Sequence, residues 1–180
     1  MIYVSEVLTT PPEKFKNDLQ KEVYSVLDKL AIPFKMVETD EIITMEDCAE
    51  VNKRLDMEMV KTLFLCNRQQ TEFYLFITKG DKPFKSKNFS HALDIARVSF
   101  APAELLKSML GTDIGAATVF SSIIDSDNAV SIIIDKEVAE CEYYGCSVGV
   151  TTGYIKIKTC DVLDKLLPYT KHTVRIIEVA

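Results

Sequence analysis

VKTLFLC, residues 60–66, and TEFYLFIT, residues 71–78, are two β-branched, aromatic and aliphatic runs joined by the polar link Asn67–Gln70. Runs of this length and composition around a short polar link predict a β-hairpin. Working backwards, Thr44 opens a T-x-x-D start with Asp47, and Val51 and Leu55 continue an apolar face, predicting a helix over about 45–55. Residues 34–38 (FKMVE) predict a short strand. Phe15, Leu19, Val23, Leu27 and Leu30 recur at helical spacing, so residues 13–30 predict a helix bounded by Pro11-Pro12 and Pro33.

Forward of the hairpin, residues 86–94 predict a short helix and Arg97–Phe100 a strand. Pro102–Leu110 predicts a helix ended by Gly111, which supplies a left-handed cap. Small residues dominate 111–122 (GTDIGAATVFSS). Ala129–Ile134 predicts a buried strand, and Gly145–Gly153 is a second small-residue stretch. Tyr154–Lys158 alternates as a strand with one wet face. Asp161–Leu167 predicts a helix stopping before Pro168, and Val174–Val179 a last strand. Strands with intervening helices make the expected fold α/β, a mixed, mostly antiparallel sheet with surrounding helices. The 180 residues suit a single domain over 1–180, with residues 1–22 as an N-terminal helical extension.

Composition narrows the function classes. No apolar run approaches the roughly 20 residues of a membrane span. The start, MIYVSEVLTTPPEKF, lacks a basic region followed by a long apolar one, so no signal peptide is expected. Five cysteines at irregular spacing argue against a secreted disulfide framework. These points predict a cytoplasmic protein with no membrane partner. With only His91 and His172 available, no metal site is expected, and no cofactor motif is present. The net charge of −6 opposes general adsorption to nucleic acid, DNA included, but leaves room for gripping one end of an RNA.

Three features could carry chemistry. Lys61 begins an apolar strand, where an ammonium either points to solvent or binds an anion at a cleft edge. Gly111, Gly115, Ala116, Ala117 and Thr118 leave the backbone bare. Such a stretch is either a tight turn or main chain open to a ligand. Lys79–Lys87 (KGDKPFKSK) sets four lysines against one aspartate in an acidic chain, so Lys82, Lys85 and Lys87 are candidate phosphate contacts. No G-x-S-x-G or H-E-x-x-H motif occurs. Cys146, between Gly145 and Ser147, has no neighbouring base and reads as an inert thiol.

The order of these pieces resembles the YbaK/ProX family of aminoacyl-tRNA deacylases, and most resembles free-standing prolyl-tRNA-synthetase-associated editing domains. Lys61–Leu65 matches a K-x-L-F-L strand. Ser99-Phe100-Ala101 followed by Ala103-Glu104-Leu105 resembles S-F-A-x-x-E-L, and Leu110-Gly111 with Gly115 matches L-G-x-x-x-G. Asp125 falls at the loop's terminal Asp, and Tyr144-Gly145 leads the last site loop. The resemblance implies hydrolysis of a mischarged small amino acid, such as alanine, from tRNA, typically the proline tRNA. A water attacks, helped by a ribose hydroxyl of the substrate. Lys61 matches the family's functional lysine, and Gly111, Gly115, Ala116, Ala117, Thr118, Asp125, Ser147 and Thr151 would form the substrate site. The implied partners are the tRNA acceptor end and an aminoacyl-tRNA synthetase.

The sequence also departs from the family. Ser147-Val148 and Thr151-Thr152 replace H-P and N-T; Ile114 replaces a Pro, Ser121 a Gly, Ile124 an Asn and Lys85 an Asp. These changes leave open a binding module for an amino acid or a tRNA end, without turnover.

Overall fold

The computed structural model describes residues 2–42 and 44–180. The hairpin forms as expected. Strand β2 (Val60–Cys66) pairs antiparallel with β3 (Phe73–Lys79) along its whole length, from Val60 opposite Lys79 to Cys66 opposite Phe73. Strand β5 (Val130–Asp135) lies parallel to β3, and β8 (Val174–Ile177) parallel to β5. The two-residue strand β4 (Ser99–Phe100) pairs only with Leu65 and Cys66 at the far end of β2. The sheet order is therefore β4-β2-β3-β5-β8. Ile132 and Ile134 face one apolar cluster and Ile133 another. Burial on both faces explains the unbroken apolar run.

The expected α/β architecture is present, with its strands divided between two sheets. A second sheet, ordered β1-β7-β6, joins β1 (Lys35–Glu38), β6 (Tyr143–Ser147) and β7 (Gly153–Lys158) by antiparallel pairing. An isolated bridge between Met59 and Gly145 connects the sheets. Strand β6 runs from Tyr143 into the small-residue stretch, where Gly145 and Ser147 hide its second half from propensity arguments.

Helix α1 (Asp18–Lys29) packs Leu19, Val23, Val26 and Leu27 into the main core. It starts at Asp18 rather than 13 because the Asn17 carboxamide accepts the Gln20 N–H at 2.8 Å and caps the helix there. The same Asn17 donates to the Gly149 carbonyl at 2.9 Å, tying the helix to the β6–β7 turn. The helical extension expected over 1–22 takes another form. Before Asp18 the described residues hold isolated bridges, Val4 to Thr39 and Leu8 to Met36, and Met1 lies outside them.

Helix α2 (Ala49–Leu55) begins later than expected; Thr44 and Asp47 bond to each other at 2.9 Å in a turn that precedes it. Helix α3 (Ser86–Leu93) covers the second face of the larger sheet through Phe89 and Leu93. Helix α4 (Ala103–Leu110) ends at Gly111, whose φ of 71° is the anticipated left-handed cap. A short helix α5 (Lys136–Ala139) follows β5. Pro168 does not stop the last helical segment. The turn Val162–Leu166 is wound wider than an α-helix, and the helix runs on through Leu167–Tyr169. A widened turn relieves the clash that a proline ring makes with a regular preceding turn. Among the described residues no helix is long and apolar enough to cross a membrane.

Candidate functional site

The fold leaves the first half of β2 with an open edge. Strand β4 covers only Leu65 and Cys66, so Val60–Leu63 pair with β3 alone. That edge borders a pocket of about 260 Å³. Lys61, Thr62, Gly115, Ala117, Cys146 and Ser147 line it, together with Ile42, Cys48 and Tyr154. The volume lies below the ~300–1,000 Å³ of pockets for drug-sized ligands, so it suits a small group rather than a whole nucleotide. Gly115 sits at φ 90°, a conformation that a side chain would strain.

The structure thus brings Lys61, Gly115, Ala117 and Ser147 to one pocket. Lys61 is half-buried, and its ammonium donates to the Lys82 carbonyl. Ser147 is spent on architecture. Its hydroxyl donates to the Ala116 carbonyl at 3.2 Å and accepts the Gly149 N–H at 3.1 Å. Thr118, fully buried, donates to the Ser147 carbonyl at 2.9 Å and accepts the Phe120 N–H. These bonds fasten loop 111–118 to the end of β6 and hold the bare main chain against the pocket. Ser147→Ala removes a buried acceptor and donor, so we expect a loss of about 1–3 kcal/mol, read by urea denaturation. An unchanged midpoint would show that the two loops hold together without it.

Other expected site residues lie elsewhere. Gly111 is a helix cap. Asp125 is buried in a structural knot, accepting from Ala129 N at 3.0 Å and Val130 N at 2.9 Å, with His172 Nε2 at 2.9 Å. Thr151 serves through its carbonyl, which accepts from Ile42 N and the Tyr154 hydroxyl. Lys82 is committed to Asp135 at 2.8 Å, Glu137 at 3.0 Å and the Val179 carbonyl at 2.7 Å. Partial burial works against its charge, but those two carboxylates outweigh it and push its pKa up. It is therefore a poor phosphate contact. Lys85 and Lys87 are exposed at the start of α3.

Cys146 lines the pocket yet is buried, and burial pushes its thiol up from 9.0 to about 12, with the Thr118 hydroxyl pulling weakly the other way. The thiol stays protonated at neutral pH. Iodoacetamide is expected to modify exposed Cys141 and Cys160 while leaving function intact; inactivation tracking modification of Cys146 would give the thiol a role. The folded thiol keeps its proton between about 9 and 12, where an unfolded one loses it. Its contribution to stability is full below that window and falls as pH rises through it. Among the described residues no group of His, Cys, Asp and Glu could hold a metal ion.

The family model for the aminoacyl-tRNA editing domain matches residues 39–165. The "Prolyl-tRNA editing protein ProX" of Acetoanaerobium sticklandii is 26% identical over 121 residues, covering 67% of this chain and 74% of that protein. A solved structure described as a candidate trans-editing enzyme for prolyl tRNA synthetase superposes with a TM-score of 0.65 at 13% identity, covering 92% of this chain and 100% of the other. The crystal structure of a hypothetical protein, APE2540, superposes with a TM-score of 0.67 at 14% identity over 87% of this chain and 98% of that one. At such identities the two structures show a shared fold.

Proposed function

Because the chain belongs to the aminoacyl-tRNA editing domain family, an assignment resting on residues 39–165, we propose that its pocket beside Lys61 and Gly115 hydrolyses a mischarged small amino acid from tRNA. The observation carrying this reading is the convergence of Lys61, Gly115 and Ala117 on one pocket of about 260 Å³. An aminoacyl ester is already activated, so positioning and charge stabilisation supply the catalysis. Water adds to the ester carbonyl carbon, and negative charge develops on the carbonyl oxygen. The Lys61 ammonium and the main chain at 115–117 stabilise that charge. The carbon–oxygen bond to the ribose then breaks. The ribose oxygen takes a proton, and the amino acid leaves as its carboxylate.

The pocket's size favours alanine or a comparably small residue, because a small cavity excludes larger side chains. The named activity of the A. sticklandii relative favours the proline tRNA, and the description of the trans-editing structure favours a partnership with prolyl-tRNA synthetase. Five free cysteines support a reducing compartment, hence the cytoplasm. One apolar cluster running from Leu19 to Leu167 supports a single domain.

The test is a deacylation panel of tRNAs charged with cognate and non-cognate amino acids. We expect a shortened ester half-life for alanine on the proline tRNA and little change for bulky residues. Unaltered half-lives across the panel, with binding retained, would convert the protein to the binding module that the family assignment does not favour.

A further inference from the structure

A second, larger cavity of about 1020 Å³ opens between the N-terminal segment, α1 and one end of the smaller sheet. Phe15, Tyr24 and Phe34 build an aromatic wall. Phe15 stacks on Tyr24 with ring centres 6.0 Å apart, and Tyr24 meets Phe34 edge-on at 5.4 Å. Four lysines, Lys21, Lys35, Lys156 and Lys158, line the same cavity against one acidic residue, Asp28. In a chain of net charge −6 that local excess is a marked inversion. Among the described residues none of the four takes part in an ion pair.

Tyr24 belongs to this wall as a packed residue. It is 3% exposed and lines the cavity, and its hydroxyl is closed off from solvent, with no hydrogen-bond partner among the described residues.

Aromatic faces beside lysines are the chemistry that takes a nucleobase by stacking and its phosphate by charge. From this juxtaposition of an aromatic wall with four lysines outside any ion pair, one of them, Lys156, held 4.2 Å over the Tyr143 ring, we infer that the cavity binds unpaired nucleotides of the RNA substrate. The inference rests on the editing reading for its choice of RNA over other anions. Strand β6 carries Tyr143 at this cavity and Ser147 at the editing pocket. Four residue steps put these two lining residues about 13 Å apart along the strand, at about 3.3 Å per residue. A single strand a few nucleotides long spans that gap, so one acceptor end can occupy both. Lys82 is lost to an ion pair, and this cavity supplies the basic surface that the sequence placed at 79–87.

The probes are the trinucleotide CCA and, as a competing apolar anion, octanoate, both followed by calorimetry. We expect CCA to bind and Phe15→Ala to weaken it about tenfold, within the range that stacking one base contributes. Removing both Lys156 and Lys158 should reduce the salt slope of binding by about 1.4, the value for two phosphate contacts on a single strand. Lys158 is exposed and Lys156 half-buried over the Tyr143 ring, and neither belongs to the apolar core, so the doubly substituted chain should fold. In deacylation, that variant should raise KM for aminoacyl-tRNA at unchanged kcat, and leave hydrolysis of an aminoacyl-adenosine ester, too short to reach the cavity, unaltered. Octanoate binding without CCA binding overturns the inference, as does an unchanged salt slope. Equal losses on the long and short esters overturn it too. If no ester is hydrolysed, the editing reading fails while the calorimetry still decides the cavity.

Discussion

Lys61→Ala is expected to slow ester hydrolysis by about 10²–10³-fold, the usual effect of losing one group that stabilises a developing oxyanion. The half-buried ammonium is carried by the open-edged half of β2, the same segment that borders the pocket with Gly115 and Ala117. Its present partner is a main-chain carbonyl, that of Lys82, and among the described residues no carboxylate pairs with it. A positive charge turned to a small pocket stabilises an oxyanion more than a neutral ester, which is the condition for raising kcat rather than merely lowering KM. Single-turnover deacylation of wild type and variant measures it. Lys61→Arg should recover part of the rate, because it restores charge in a broader geometry. Full activity in Lys61→Ala would remove the lysine from the mechanism and leave the main chain to do the work.

Asp125→Ala is expected to be the most damaging single change to stability, at about 3–5 kcal/mol, as when one partner of a buried polar pair is removed. Its carboxylate accepts two main-chain N–H groups at the entry to β5 and meets His172 Nε2, all within 3.0 Å. The substitution leaves those donors buried with nothing to accept them. For a chain of this size that is a fall in Tm of about 6–20 °C. Asp125→Asn, which keeps one acceptor oxygen, should cost less. Thermal denaturation of the two variants decides. A Tm within a degree of wild type in Asp125→Ala would mean that water satisfies the turn and that the aspartate is free for another role.

The same residue shows where the sequence misleads. Asp125 is at a plausible position for a site carboxylate, but its partners Ala129 and Val130 are local while His172 is 47 residues away. Only folding reveals that both its oxygens are already engaged, by three partners. Lys82 is a parallel case, since the basic run 79–87 looks like a surface patch until Asp135 closes on it. By contrast, the hairpin, β5, helix α4 with its Gly111 cap and the bare loop at 111–118 were legible. Each is written in one contiguous stretch by apolar runs or by small residues. The rest of the pocket's lining was not, because Ile42, Cys48 and Tyr154 come from separate stretches of chain and carry no shared local signal. Nor was the aromatic and lysine cavity, whose four lysines come from α1, β1 and the end of β7. The Ser147 substitution also changes meaning. Where the family pattern has a histidine, the serine hydroxyl clamps Ala116 to Gly149, so the loop is held by hydrogen bonds rather than equipped with a base.

The most direct measurement is a crystal structure with a non-hydrolysable alanyl-adenosine amide bound. The alanyl group is expected between the Val60–Leu63 edge and Gly115–Ala117, with the Lys61 ammonium turned from Lys82 to the amide carbonyl. An alanyl group lodged instead beside Tyr24 and Lys156, or at neither cavity, would contradict it.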